Sequence, residues 1–329
     1  MDSFIFAVNA VAPLVILALI GYILKRIGLL DGGFAKQANK LVFKVLLPIM
    51  LLMNLYGVES MEGFRLGYIL YAVIAVAIIF LVGIPLSGII TRDRRRRGAL
   101  LQSSFRSNYA LIGIPLAQSL AGTEGVVVAT VLSAISIPCF NVLAVISLSI
   151  FGDGENRPSV KKILVGIAKN PLIIAVLTGL SALGIRALLV HFGIEFRLSD
   201  ISAIYKPMTQ LSSMATPLAL LVLGAQFEFS AIKSLRREII SGVVTRCAIV
   251  PALALGTAYI CFKNSFGAGE FASLVAVFAT PVAVSSVPMA QEMGADSDLA
   301  GQLVVWTTLI SALSVFLAAF LLKAGGVFV

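Results

Sequence analysis

Apolar runs of about twenty residues follow one another along this chain, separated by short polar islands. Crossing the hydrocarbon core of a bilayer takes a helix of about 20 apolar residues. Ten segments reach that length, near 4–24, 41–57, 66–90, 99–121, 125–151, 166–190, 208–227, 239–262, 271–291 and 299–322. No stretch between them is long enough for a soluble domain, so 1–329 reads as one all-α membrane domain. The first run has no basic segment ahead of it and no small-residue cleavage site, which reads as a retained helix.

Two of these runs carry residues that an uninterrupted helix would avoid. Residues 108–118 read NYALIGIPLAQ, and residues 285–292 read SSVPMAQE. A proline lacks an N–H and clashes with the carbonyl one turn back, so Pro115 and Pro288 free backbone acceptors at mid-membrane depth. Gly113 weakens the first run further, and Ser285 and Ser286 act similarly before Pro288. Lipid satisfies none of these groups, so protein or a wet cavity must lie against them. Proline also suits the first turn of a new helix. The pattern therefore predicts half-helices beginning near Pro115 and Pro288, with free N–H groups and partial positive charge at the midplane. Two such ends meeting make a site for an anion, most naturally a carboxylate, with Asn108, Tyr109 and Gln291 beside it. For either run alone, a simple proline kink competes with this reading.

The two broken runs also belong to a repeat. PLVILALIG at 13–21 parallels PLIIAVLTG at 171–179, LPIMLLMNL at 47–55 parallels TPLALLVLG at 216–224, and IPLAQSLAG at 114–122 parallels VPMAQEMGA at 287–295. These matches predict two copies of five spans, about 1–151 and 163–329. Five is odd, so the second copy enters from the opposite face, an inversion suited to alternating access.

Composition narrows the class. Of 329 residues, 59% are hydrophobic and 12% charged, and the mean hydropathy is +1.02, too few charges to cover a soluble surface. The basic excess, 25 Lys+Arg against 16 Asp+Glu, fits cytoplasmic loops better than nucleic acid. Lys25, Arg26, Lys36 and Lys40 lie before span 2, and Arg92 with Arg94 to Arg97 before span 4. Arg157, Lys161, Lys162 and Lys169 lie around the start of span 6, and Lys233, Arg236 and Arg237 before span 8. The opposite loops hold only Arg65, Arg186, Arg197, Lys206, Lys263 and Lys323. This asymmetry predicts a multi-pass protein of the plasma membrane, as in a bacterial inner membrane, with both termini outside. The run Arg94 to Arg97 reads as a topogenic cluster, with a lipid-headgroup patch as the alternative. Cys139, Cys247 and Cys261 lie in apolar runs with no metal-ligand spacing and read as packing residues.

Arg106 and Arg246 each lie nine residues beyond a cytoplasmic arginine, Arg97 and Arg237. At 1.5 Å per residue that is roughly 13 Å deeper, close to the midplane. An arginine there must face an anion, a polar cavity or freed carbonyls. A bidentate contact with a carboxylate substrate is one reading, and a fixed structural pair with backbone carbonyls is the other. Asn141 in span 5 either lines the same pocket or ties two helices. Gln291 and Glu292 are the best candidates for an ion-coupling site, against a plain loop acid. His191 falls on the outer side and reads as interfacial.

NYALIGIPL, SSVPMAQEMGAD and TPLALLVLGAQF resemble the auxin efflux carrier family, which holds plant auxin exporters and bacterial carriers assigned to malate or malonate. The resemblance covers essentially the whole chain. It implies a fold like sodium/proton antiporters and bile-acid symporters, with spans 4 and 9 unwound and crossing at Pro115 and Pro288 in a transport domain that moves against a scaffold. It places Asn108 where a side chain faces the substrate carboxylate. The large central loop of the plant exporters is missing, since residues 152–162 alone join the halves.

The expected function is thus secondary transport of a small organic anion, a dicarboxylate or an auxin-like acid, by an elevator-like alternation. A membrane sensor with a transporter-like ligand site is the alternative, while an intramembrane enzyme lacks HExxH, GxSxG or a nucleophile–base pair. No cofactor, metal or nucleic acid is expected. Membrane lipids surround the chain, a proton or sodium as coupling ion stays open, and so does a homodimer through the scaffold helices.

Overall fold

The computed structural model describes residues 2–57, 65–151 and 160–328; these form helices joined by short turns, with one isolated β-bridge. The linker around Arg157 lies outside the described residues. Helix α1 spans Asp2–Arg26 and α2 spans Gly32–Leu41, started by Asp31, whose carboxylate accepts from the Phe34 N–H at 2.6 Å. A π turn, Val42–Leu46, carries α2 into α3, Leu47–Tyr56. Then come α4 (Leu66–Ile90), α5 (Arg94–Phe105), a second π turn (Tyr109–Gly113), α6 (Ile114–Phe151), α7 (Val160–Ala168) and α8 (Pro171–His191). The remainder is α9 (Ser202–Gln226), α10 (Ala231–Val244), a third π turn (Thr245–Ile249), α11 (Val250–Phe262), α12 (Ala268–Phe278), α13 (Ser286–Glu292) and α14 (Ser297–Ala324).

Seven helical stretches among the described residues are long and apolar enough to cross a membrane, from Gly32–Tyr56 to Ser297–Ala324. Expected spans 4, 5 and 9 do not appear as three unbroken helices. Span 4 is interrupted between α5 and α6, and α6 then runs on through span 5 across a bend at Ala121 and Gly122. Gly122 has φ 59°, a left-handed conformation that costs a glycine little. Span 9 is split into α12 and α13, each too short to cross alone.

The helices can be described as two sets that meet where α1 also packs on α14. In one, α1 lies along α9 and α3 along α8. Glycines set the closeness of both pairs: a Cβ on Gly224 would stand 1.7 Å from the Ala18 carbonyl oxygen, and one on Gly179 would stand 3.0 Å from Leu55. In the other set, α12 packs on α6, α5 on α4 and α6, and α10 and α13 on α14. Ala129, Leu132, Ala272 and Ala276 fill the α6–α12 seam completely buried. Leu81, Leu188, Leu253 and Ile260 point outward, as expected of side chains that meet lipid.

The arginine run fastens helix ends together. Arg94 donates to the Ile150 carbonyl at 2.8 Å, Arg95 to Gly294 at 3.1 Å and Arg97 to Thr91 at 2.9 Å. Arg96 pairs with the buried Glu238 at 3.1 Å and with Asp296 at 3.4 Å. These contacts satisfy helix-end carbonyls and fasten α4, α5, α6, α10 and the α13–α14 turn into one body.

Candidate functional site

Helix α5 starts on Asp93, whose side chain accepts from the Arg95 N–H at 2.9 Å, and stops at Phe105. Arg106 then takes up extended backbone (φ −84°, ψ 107°). Ser107 forms an antiparallel bridge with Val282, and the Asn108 N–H donates to the Pro281 carbonyl at 2.8 Å. Two extended segments, one between α5 and the π turn and one between α12 and α13, thus meet inside a helical protein. Each satisfies part of the other's exposed backbone.

The second half-helices begin at Ile114 and Ser286, near Pro115 and Pro288 as the sequence predicts, and the unwound residues lie ahead of them. Pro115 sits in the first turn of α6 and Pro288 in the first turn of α13, whereas the unwound residues are 106–108 and 279–285. A proline constrains the turn before it, and here the π turn through Gly113 takes up that constraint. Gly113 packs against Tyr109, whose ring lies 2.7 Å from where a Cβ would project, and neither Gly113 nor Pro115 lines the cavity described below. At the start of α13 three of the N–H groups have partners within the turn. Ser286 N–H bonds to Ala283, Val287 to Val284 and Met289 to Ser285, at 3.0, 3.2 and 3.3 Å, so the first turn is internally satisfied.

A cavity of about 50 Å³ opens beside the crossing, with room for a few waters. Its polar wall is Arg106, Ser107, Asn108, Asn141 and Ser285. The facing wall comes from α3, α8 and α9: Leu47, Met50 and Leu51, then Leu172, then Ala215, Thr216 and Ala219. Ile137 and Phe140 of α6 close it. Arg106 is 3% exposed and donates to the Asn141 side chain at 2.9 Å, to Ser285 Oγ at 2.8 Å and to Gln102 at 3.4 Å, and it also contacts the Met289 sulfur. No carboxylate pairs with it among the described residues. Asn108 is 4% exposed, and its Nδ2 has no hydrogen-bond partner; Ser107 Oγ has none either. The polar wall therefore holds a buried cation and unsatisfied donors, the arrangement an anion would complete.

Other expected site residues lie elsewhere. The Tyr109 ring lines the cavity, but its hydroxyl turns away to the Ala129 carbonyl at 2.9 Å and to Ser273 at 2.8 Å. Ser286 is buried behind Ser285, its carbonyl held by Gln102 at 3.1 Å. Gln291 does not reach the cavity: its Oε1 accepts from Asn39, and from Gln226 at 3.3 Å, which joins α13 to α2 and α9. Glu292 does not line it. Arg246 is completely buried on backbone carbonyls away from it, the structural alternative of the sequence reading. Sequence reasoning missed Pro281, Gln102 and the apolar wall. His191 ends α8 on an exposed surface.

A family described as membrane transport protein matches residues 6–157 and 155–318. The chain is 24% identical over 323 residues to an uncharacterized transporter of Methanothermobacter thermautotrophicus, covering 94% of this chain and 97% of the relative. It is 29% identical over 237 residues to an uncharacterized transporter of Methanocaldococcus jannaschii, covering 68% of this chain and 70% of that one.

Proposed function

The chain belongs to the membrane transport protein family of auxin efflux carrier-like proteins, and from that premise we propose that it carries a small organic carboxylate across the membrane. The carboxylate lies against Arg106 and Asn108, with Ser107 and Ser285 as further donors. The observation that carries this reading is the pairing of a buried, carboxylate-free Arg106 with the orphan Nδ2 of Asn108 in one cavity. A charge-assisted hydrogen bond stabilises by about 1.5–3 kcal/mol, and a carboxylate accepts several at once.

The cavity is electrostatically one-sided, which favours a singly charged acid with an apolar body. Leu47, Leu51, Leu172, Ala215 and Ala219 face Arg106, with only the Thr216 hydroxyl among them. A second carboxylate would be buried against that wall without a partner, a cost of several kcal/mol. Transport follows if the crossover body moves against the set α1, α2, α3, α8 and α9, in a ten-span protein of the plasma membrane with both termini outside. The picture includes inverted repeats of five, and one structural match supports it. The repeat-matched helices α1 and α8 each present a matched glycine, Gly21 and Gly179, to the matched partners α9 and α3.

Thermal-shift screening of the purified protein against carboxylates of graded size and charge tests the reading. Stabilisation by singly charged acids with apolar bodies, and less by dicarboxylates of equal length, is the expected result. Stabilisation by amines or sugars and by no carboxylate would overturn it.

A further inference from the structure

A groove of about 250 Å³ opens on the outer surface between α1, α9 and α14, and it shares no residue with the carboxylate cavity. Leu14, Leu19, Leu223, Val305, Trp306 and Leu309 line it, and Leu19 and Leu309 are exposed. The polar groups of the α14 wall are satisfied inside the protein. The Trp306 N–H donates to Gln302 Oε1 at 3.1 Å, and the Thr308 hydroxyl donates to the Val304 carbonyl at 2.6 Å. The wall therefore presents carbon, and the occupant that suits it is hydrocarbon.

One end of the groove has the opposite character. Tyr22, Phe227 and Phe229 close it, with ring centroids 5.6 Å apart for Tyr22 and Phe229 and 5.0 Å for Phe227 and Phe229. Arg26, one turn beyond Tyr22, lies 5.1 Å from that ring's centroid and donates to the Tyr22 hydroxyl through Nε at 3.0 Å and Nη2 at 2.7 Å. Glu228, next to Phe229, is taken by Lys25, and among the described residues no carboxylate pairs with Arg26. The mouth thus keeps one positive charge. Leu14 lies eight residues before Tyr22 on α1, about 12 Å at 1.5 Å per residue, close to half of a hydrocarbon core of about 30 Å. The end of α14 nearest the mouth is the one tied to the arginine run, through Asp296 and Arg96 at 3.4 Å.

We propose that this groove binds an anionic phospholipid, with one acyl chain along α1, α9 and α14 and the phosphate at Arg26 and the Tyr22 hydroxyl. The Tyr22 oxygen accepts from Arg26, so its own proton is free to be donated to a phosphate oxygen, and Nη1 of Arg26 supplies a second, charged donor. Aromatic rings at the mouth suit the level of lipid headgroups. The charge asymmetry of the sequence places this end in the cytoplasm, where the leaflet carries anionic lipid. An apolar wall one leaflet deep, ending in a cation without a carboxylate, matches an anionic amphiphile drawn from the bilayer. Binding here involves no transport step, so the inference stands apart from the carrier reading.

Trp306 is the one tryptophan of the chain and lines the groove, so its fluorescence reports the occupant. The protein is reconstituted in phosphatidylcholine vesicles in which a rising fraction of the lipid carries brominated acyl chains, as phosphatidylglycerol or as phosphatidylcholine. Bromine quenches indole fluorescence on contact. One basic side chain at a membrane surface favours an anionic headgroup by about fivefold in affinity. Half-quenching should therefore come at about fivefold less brominated phosphatidylglycerol than brominated phosphatidylcholine. Arg26→Gln should bring the two curves together. Lys36→Gln, which removes an equal charge from the exposed side of α2 outside the groove, should leave them apart. Coincident curves in the wild type, a preference that survives Arg26→Gln, or one that Lys36→Gln abolishes as well would overturn the proposal. So would a Trp306 that neither lipid quenches, since a second copy of this chain would then cover the groove.

Discussion

Replacing Asn108 by alanine should separate binding from stability, with effects of opposite sign. The backbone of Asn108 is engaged, its N–H with Pro281 at 2.8 Å and its carbonyl with the Ile112 N–H at 3.0 Å, so alanine leaves the crossing intact. Its Nδ2 is buried without a partner, and such a donor costs about 1–3 kcal/mol. Truncation removes that cost and enlarges a cavity that already exists, so the melting temperature of the ligand-free protein should hold or rise. With a carboxylate bound, the same donor contributes about 1.5–3 kcal/mol, so its loss should weaken binding roughly 10–150-fold. The assay is calorimetric titration of one carboxylate into wild type and variant, beside a melting curve of each without ligand. An unchanged Kd, or a marked fall in melting temperature, would refute the reasoning, because Asn108 would then be a structural hydrogen-bonding residue.

Tyr109→Phe should leave Kd unchanged, since the hydroxyl serves Ala129 and Ser273 and not the cavity, while costing about 1 kcal/mol of stability in a denaturation curve. A weaker Kd would return Tyr109 to the ligand. Gly224→Ala should push α1 from α9, because its Cβ would meet the Ala18 oxygen at 1.7 Å. A loss of about 1–3 kcal/mol is expected from such overpacking, read as a lower melting temperature with carboxylate affinity retained.

What the sequence made legible is the chemistry of the two broken runs. Arg106, Asn108, Asn141 and Ser285 stand out as polar groups that an apolar span cannot leave unexplained, and they share one cavity. The starts of the second half-helices were legible from the prolines, but the extent of the unwinding was not. Pro115 marks a constraint, but the unwinding at 106–108 is fixed by the bridge to Val282 and Pro281, a partner far away in sequence. The apolar wall was hidden for a different reason: Leu47, Leu172 and Ala215 look like any other residues of a membrane helix, and only packing decides that they face a cavity. Closeness to Pro288 suggests Gln291 as a ligand, yet the short turn of α13 points it to Asn39 and Gln226. For Arg246, depth in the membrane was readable but its partners were not, because backbone carbonyls carry no sequence signature.

The central claim is that one buried arginine holds a carboxylate that crosses the membrane. Counterflow tests it most directly: proteoliposomes loaded with an unlabelled carboxylate from the thermal-shift screen receive labelled acid outside. Wild type should accumulate label transiently, and Arg106→Gln, reconstituted to equal density, should not. Equal counterflow by the glutamine variant, or no counterflow by the wild type with any carboxylate that stabilises it, would contradict the account.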